Sequence, residues 1–263
     1  MTALLSHTNA IPDATLSMTT GSATNLDSLK SMQVPVPFAT ITGASFEIRG
    51  TFSARTVRVA AVIATDLQAS ASISIGLING STAVSSTVPF VVTNGTFTVS
   101  GNVYSVRVMQ TVDNRSTILL TLPADVTATQ MRVTVTGAAS TTRIGSLWCA
   151  PAAAVPLSPG WSLAPEDFSL SSAVGPTRWL NRRARAMRFS GTAERVLEPA
   201  AIGADGLEPL FQRLGSSEPV LWLPRTSEAY QRLAVYGFME PPGRVAHVRG
   251  PIYRAELDVV GVI

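Results

Sequence analysis

Through the first half of the chain, apolar and polar residues alternate with a period of two. In ASISIGL (71–77) Ser72 and Ser74 alternate with Ile73 and Ile75, and Leu77 follows after Gly76, the pattern of a strand with one buried face. QMRVTVT (130–136) alternates in the same way. TVRVAAVIAT (56–65) begins alternating and ends continuously apolar, which predicts a strand buried on at least one face. Further short apolar runs are FATIT (38–42), FEIRG (46–50), PFVVT (89–93), TFTVS (96–100), VYSVRVMQ (103–110), STILLTL (116–122) and RIGSLWC (143–149).

Turn chemistry separates these runs. Gly43 and Gly50 interrupt the first two. Asn79-Gly80 and Asn94-Gly95 are hairpin signals. Gly101-Asn102, Asp113-Asn114 and Pro123-Ala124-Asp125 mark further turns. Short strands at near-regular spacing predict an antiparallel β-sandwich, jelly-roll-like, over residues 36–150. Residues 1–35 are polar, with scattered Thr, Ser and Asn, and read as an N-terminal arm or a lead-in strand.

The pattern changes after RIGSLWCAPAAAVPLSPGW (143–161). Pro151, Pro156 and Pro159 cannot sit inside a central strand or helix, so residues 151–175 read as a Pro-rich linker. Trp148 just before it and Trp161 within it are candidate inter-domain anchors. Residues 176–263 predict a smaller α+β domain, one helix on a curved sheet. Leu207, Leu210, Phe211 and Leu214 have helical spacing, and Gly215 is a natural stop. PVLWLP (219–224) is a fully apolar strand between prolines. A strand through Leu233, Val235 and Tyr236-Gly237 precedes a final hairpin, 245–249 and 252–263, turning at Gly250-Pro251. The fold class is therefore mostly β.

At 263 residues the chain is long enough for two cores. Hydrophobic residues make up 46% and charged ones only 14%, which excludes a disordered chain. The net charge of +3 arises from 8 basic and 6 acidic residues up to 150, then 12 and 11. Charge that evenly balanced argues against a nucleic-acid partner. All basic residues except Lys30 are arginine, a residue suited to interface ion pairs, although a GC-rich genome yields the same bias. Arg178, Arg182, Arg183, Arg185 and Arg188 form the densest charge run, and read either as an interface stripe or as a solvated strand face.

Chemistry is sparse. The single cysteine, Cys149, sits in an apolar strand end and reads as a buried thiol. His7 and His247 are far apart in sequence, and no HExxH, CxxC, GxSxG or Walker-type loop occurs. Asp66, Asp113 and Asp125 fall in turns, where aspartate is expected. No catalytic residue, metal ligand or cofactor is assigned, and no enzyme activity is expected. The N-terminal residues lack a basic stretch followed by a sustained apolar core, and no apolar run approaches a membrane span, so neither a secretory signal nor membrane insertion is expected. Phe38, Phe46, Phe52, Phe90, Phe97 and Tyr104 could form a sugar-stacking platform, but alternate as core residues do.

Two segments carry a family resemblance. VRVAAVIATDLQASASISIGL (57–77) resembles the strand pair that opens a jelly-roll module in tailed-bacteriophage virion proteins. MRVTVTGAASTTRIGSLWCAPAAAVP (131–156) is similar to the strand that closes it. Those proteins then continue through elements that match, in order, Gly160-Trp161, Asp167-Phe168-Ser169, Arg182 to Arg188, Leu214-Gly215, Pro219 to Pro224, Tyr236-Gly237 and Glu256 to Ile263. The chain departs from the pattern at Thr65-Asp66-Leu67, where His-Asn-Leu is usual, and at Ser146, where arginine is usual. The resemblance implies a non-enzymatic virion protein of the distal tail or baseplate, made in the host cytoplasm. It implies a symmetric homo-oligomer in contact with other tail proteins. The jelly roll would decorate the outside or bind a host-surface glycan, which leaves a carbohydrate-binding receptor module as the alternative.

Overall fold

The computed structural model describes residues 2–31, 38–67, 71–86, 90–91, 105–110, 116–167, 170–174, 177–181, 185–225 and 233–261. In chain order its first strands are β1 (Thr2–Ser6), β2 (Thr15–Thr24), β3 (Ala39–Thr65), β4 (Ser72–Asn79), β5 (Thr82–Ser86), β6 (Phe90–Val91) and β7 (Ser105–Gln110). Then come β8 (Ser116–Thr136), β9 (Thr141–Ile144), β10 (Ser146–Ala150), β11 (Ala152–Pro156), β12 (Ser162–Asp167), β13 (Leu170–Val174), β14 (Thr177–Asn181) and β15 (Arg185–Leu197). A helical turn α1 (Glu198–Ile202) and the helix α2 (Leu207–Leu214) precede β16 (Pro219–Leu223), β17 (Val235–Met239), β18 (Arg244–Arg249) and β19 (Ile252–Gly261). The chain is mostly β, with antiparallel pairing and one short helix, as the alternation predicts. Two compact units form: residues 6–153, and residues 1–5 with 154–225 and 233–263.

The first unit is a β-sandwich built on two long strands. β3 has 27 residues and β8 has 21, and they pair antiparallel from Ser45↔Thr136 to Thr65↔Ser116 with three register shifts. The sequence suggests shorter pieces, because Gly43, Gly50 and Pro123 read as breaks. Instead β3 runs on and pairs in turn with β9, β2, β8 and β10. Gly50 serves packing: a side chain there would press on Ile11 and Leu16 at 3.3 Å, where the N-terminal turn lies over the strand. The inward residues of four strands close the core, including Ile48 and Val62 of β3, Ile75 of β4, Val133 of β8, and Leu147 and Cys149 of β10. Asn79-Gly80 forms the expected hairpin between β4 and β5, with Gly80 at φ 61°.

The second unit is a sheet ordered β11-β1-β16-β17-β19-β15-β12, with β18 also paired to β19. Two sequence expectations change here. The first concerns residues 1–35, read as an arm or a lead-in strand: among the described residues they hold two strands, β2 paired with β3 in the sandwich and β1, an interior strand of this sheet with Ala3, Leu4 and Leu5 buried. The second is the linker: β11, β12 and β13 occupy most of residues 151–175. Proline was the reason to expect irregular chain, but β11 and β12 are the two ends of the strand order. An end strand has a free side, so a residue without an N–H is tolerated there. Pro165 therefore sits inside β12 and Pro156 ends β11.

In this unit the sheet and α2 each bury apolar side chains. Phe189 of β15 is fully buried, with its ring 5.9 Å from Trp161 and 4.9 Å from Trp222 of β16. All five residues of β16 are buried, as its apolar sequence requires. Leu207, Leu210, Phe211 and Leu214 form the buried face of α2, and Gly215 closes it in the left-handed region at φ 53°.

Candidate functional site

Strand register organises the outer face of the second unit. Ser162 of β12 lies opposite Ser190 of β15, and Ser190 lies opposite Asp258 of β19. One alternation along, Thr192 lies opposite Glu256. Directly opposed residues share a face, so these five polar side chains lie together. Their neighbours Phe189, Leu257 and Val259 point the other way and are buried in the core. The polar residues, with Gly160, Gly191 and Leu257, line a depression of about 270 Å³. Neither Glu256 nor Asp258 forms a side-chain hydrogen bond or ion pair among the described residues, and Asp258 Oδ1 is out of solvent without a partner.

Two strands bound this face. β12 is paired only on its β15 side, and β18 only on its β19 side, among the described residues. Both strands are six residues long. β12 reads SLAPED and carries acid but no base; β18 reads RVAHVR and carries base but no acid. β18 is open to solvent: Arg244, His247, Val248 and Arg249 are exposed, with Val248 at 52%. Arg244 stands opposite Glu256 in the ladder without forming an ion pair with it. His247 Nε2 donates to the Gly250 carbonyl at 2.8 Å, and the ring meets the Tyr253 ring edge-on.

The arginine run expected from sequence is only partly within the described residues. Arg182 and Arg183 lie outside them. Arg178 is on β14, which pairs with β13 in a separate two-stranded ribbon, whereas Arg185 and Arg188 are on β15. Arg185 and Arg188 are three positions apart on one strand, an odd interval that does not build a stripe on one face. Arg188 is half-buried and donates to the Glu240 carbonyl at 3.2 Å. Trp161 is half-buried on Phe189 within its own unit. Trp148 is fully buried, and its Nε1 donates to Ser6 Oγ at 2.9 Å within the sandwich unit.

The sandwich unit carries a second polar surface. Glu47 and Arg49 of β3 stand opposite Thr134 and Arg132 of β8, and Ser74 and Gly76 of β4 extend the row. Glu47 accepts from Thr19 Oγ1 at 2.7 Å and from Arg49 Nε at 2.6 Å, with Arg132 Nε 3.9 Å away. Burial pushes the Glu47 carboxyl up, but hydrogen bonds from Thr19 and Arg49 and the two guanidinium charges outweigh it. The net result lies below the usual carboxylate range. Of the candidate stacking aromatics, Phe46 and Phe52 are buried in the core, so they form no platform. Phe38 is half-buried; the side chain of Phe90 and the whole of Phe97 and Tyr104 lie outside the described residues.

The two departures from the virion-protein pattern have local explanations. Ser146 is buried, and its hydroxyl lies 2.8 Å from the Ser31 carbonyl and 3.2 Å from that of Leu29, a space with no room for arginine. Asp66 accepts from the Arg143 amide at 2.6 Å and returns its own N–H to the Arg143 carbonyl, locking the end of β3 to β9. Cys149 is buried and burial pushes its thiol far up, so it is unreactive in the native fold.

Among the described residues, no group of three or more His, Cys, Asp and Glu is placed to hold a metal ion, and no helix is long and apolar enough to cross a membrane. What sequence reasoning missed is the pair of open edges. Their signal was the opposite charge of SLAPED and RVAHVR, hidden because each was read as part of a linker or a terminal hairpin. No family model, curated protein or solved structure matches the chain.

Proposed function

We propose that the chain is a non-enzymatic structural subunit of a bacteriophage tail tip or baseplate, and that it acts by assembling into a symmetric oligomer. The observation that carries the assembly reading is a pair of oppositely charged open strand edges in the second unit, β12 and β18, one on each side of the β15–β19 pair; β11, the other strand paired on one side only among the described residues, is uncharged. An edge strand presents unpaired N–H and C=O groups and templates further pairing. The virion context rests on the ordered sequence resemblance from residue 57 to the C-terminus. Mass in solution tests the reading: it expects a defined species larger than 27.7 kDa. A monomer throughout the micromolar range would argue against assembly by this chain alone.

A second reading, a carbohydrate-binding module of the tail, is favoured by the sandwich face around Glu47, Arg49 and Arg132. Carboxylate, guanidinium and hydroxyl groups side by side on one sheet face are what sugar hydroxyls bond to. Glycan-array binding lost in Arg132→Ala would promote this reading, and an array without signal would remove it.

A further inference from the structure

We infer that copies of this chain join head to tail by strand addition, β12 of one copy pairing antiparallel with β18 of the next. The inference rests on the assembly reading above and specifies its interface.

Direction comes first. β12 is antiparallel to β15, β15 to β19, and β19 to β18. Three reversals make β12 and β18 of one copy run in opposite directions. A second copy in the same orientation, with its β18 beside the first copy's β12, therefore continues an unbroken antiparallel sheet. No inversion is needed, so the contact is heterologous: it closes into a ring where the rotation permits, and otherwise forms a filament.

Among pairings of the two charged edges, charge selects this one; β11, uncharged, offers no ion pair to either. β18 against β18 sets cationic strands together, and β12 against β12 sets acidic ones together; like charges across a ladder are destabilising. Only β12 against β18 brings acid to base. Arg244 and Arg249 are exposed and have no hydrogen-bond or ion-pair partner in their own copy among the described residues.

Register follows from the pleat. Ser162, Ala164 and Glu166 occupy positions of the same face as Ser190 and Asp258, and so do Arg244 and Ala246 through Glu256 and Arg254. Matching faces across the new ladder limits the antiparallel alignments. The alignment that also sets Glu166 opposite Arg244 puts Ala164 opposite Ala246; the bulge between His247 and Arg249 interrupts the regular alternation beyond that. Pro165 offers no N–H, and the remaining residues of β12 supply the donors.

Disulfide trapping in the full chain tests this. Ala164→Cys and Ala246→Cys proteins are mixed, oxidised and run on a non-reducing gel, with Cys149 buried and out of reach. The mixture should give a covalent dimer that neither variant gives alone, and the double variant should give a ladder. In sedimentation, Arg244→Glu should raise the dissociation constant about tenfold or more, and adding Glu166→Arg should restore it. An oligomer that forms normally but shows no cross-link and ignores both charge reversals overturns this interface while leaving the assembly reading standing. A wild-type chain that stays monomeric overturns both.

Discussion

At the residue scale, the fold depends on a few buried polar anchors and one aromatic stack. Asn9 ties the N-terminal turn to β10: its Nδ2 donates to the Leu147 carbonyl, and its Oδ1 accepts from the Cys149 and Ile11 amides. Asn9→Ala strands those groups out of water and should cost about 1–3 kcal/mol, read from denaturant unfolding. Phe189→Ala empties the space between Trp161 and Trp222 and should cost about 3–5 kcal/mol, with loss of near-UV tryptophan signal. Glu47 gives a pH dependence. Its carboxyl in the folded state lies below its ordinary value of 4.5, so it stabilises the fold above that pH. The contribution is lost as pH falls below 4.5 through the folded value. Glu47→Gln should flatten that part of the acid-unfolding curve. None of these roles was legible in the sequence, because Asn9 and Glu47, beside the nearby Ile11 and Arg49, use distant partners: Leu147 and Cys149 for Asn9, and Thr19 and Arg132 for Glu47.

At the element scale, what the sequence made legible is what alternation encodes. The sandwich strands, the apolar β16, the helix stop at Gly215 and the closing hairpin all follow from local pattern. The interior position of β1 does not: TALLS is too short to carry a period, and its place is set by β11 and β16, more than a hundred residues away. β12 was obscured because Pro151, Pro156 and Pro159 made residues 151–175 read as a linker; the proline rule forbids a central strand but not an end one. Tyr236-Gly237 reads as a motif, and the sheet supplies its reason. A Cβ at Gly237 would sit 1.9 Å from the Val260 carbonyl oxygen, across the ladder to β19. Gly237→Ala should force β17 away from β19 and lower the unfolding midpoint, whereas alanine at exposed Ser217 should change stability by no more than about 0.5 kcal/mol.

At the scale of the whole molecule, the account turns on the two open edges. Natural sheets guard their edges with charge and proline, and both are present here. The guards carry opposite signs on two strands that already run in opposite directions. Such edges resist indiscriminate aggregation while accepting a second copy in one orientation. The sequence pointed to assembly through a clustered arginine run; the sheet moves the argument to Arg244 and Arg249, thinly spaced residues that a search for charge density passes over. The central claim is tested most directly by sedimentation of the wild-type chain beside Arg244→Glu and Arg244→Glu/Glu166→Arg. The account predicts an oligomer, its weakening by the single reversal, and its recovery in the double variant. A wild-type monomer, or an oligomer equally stable in all three proteins, would contradict it.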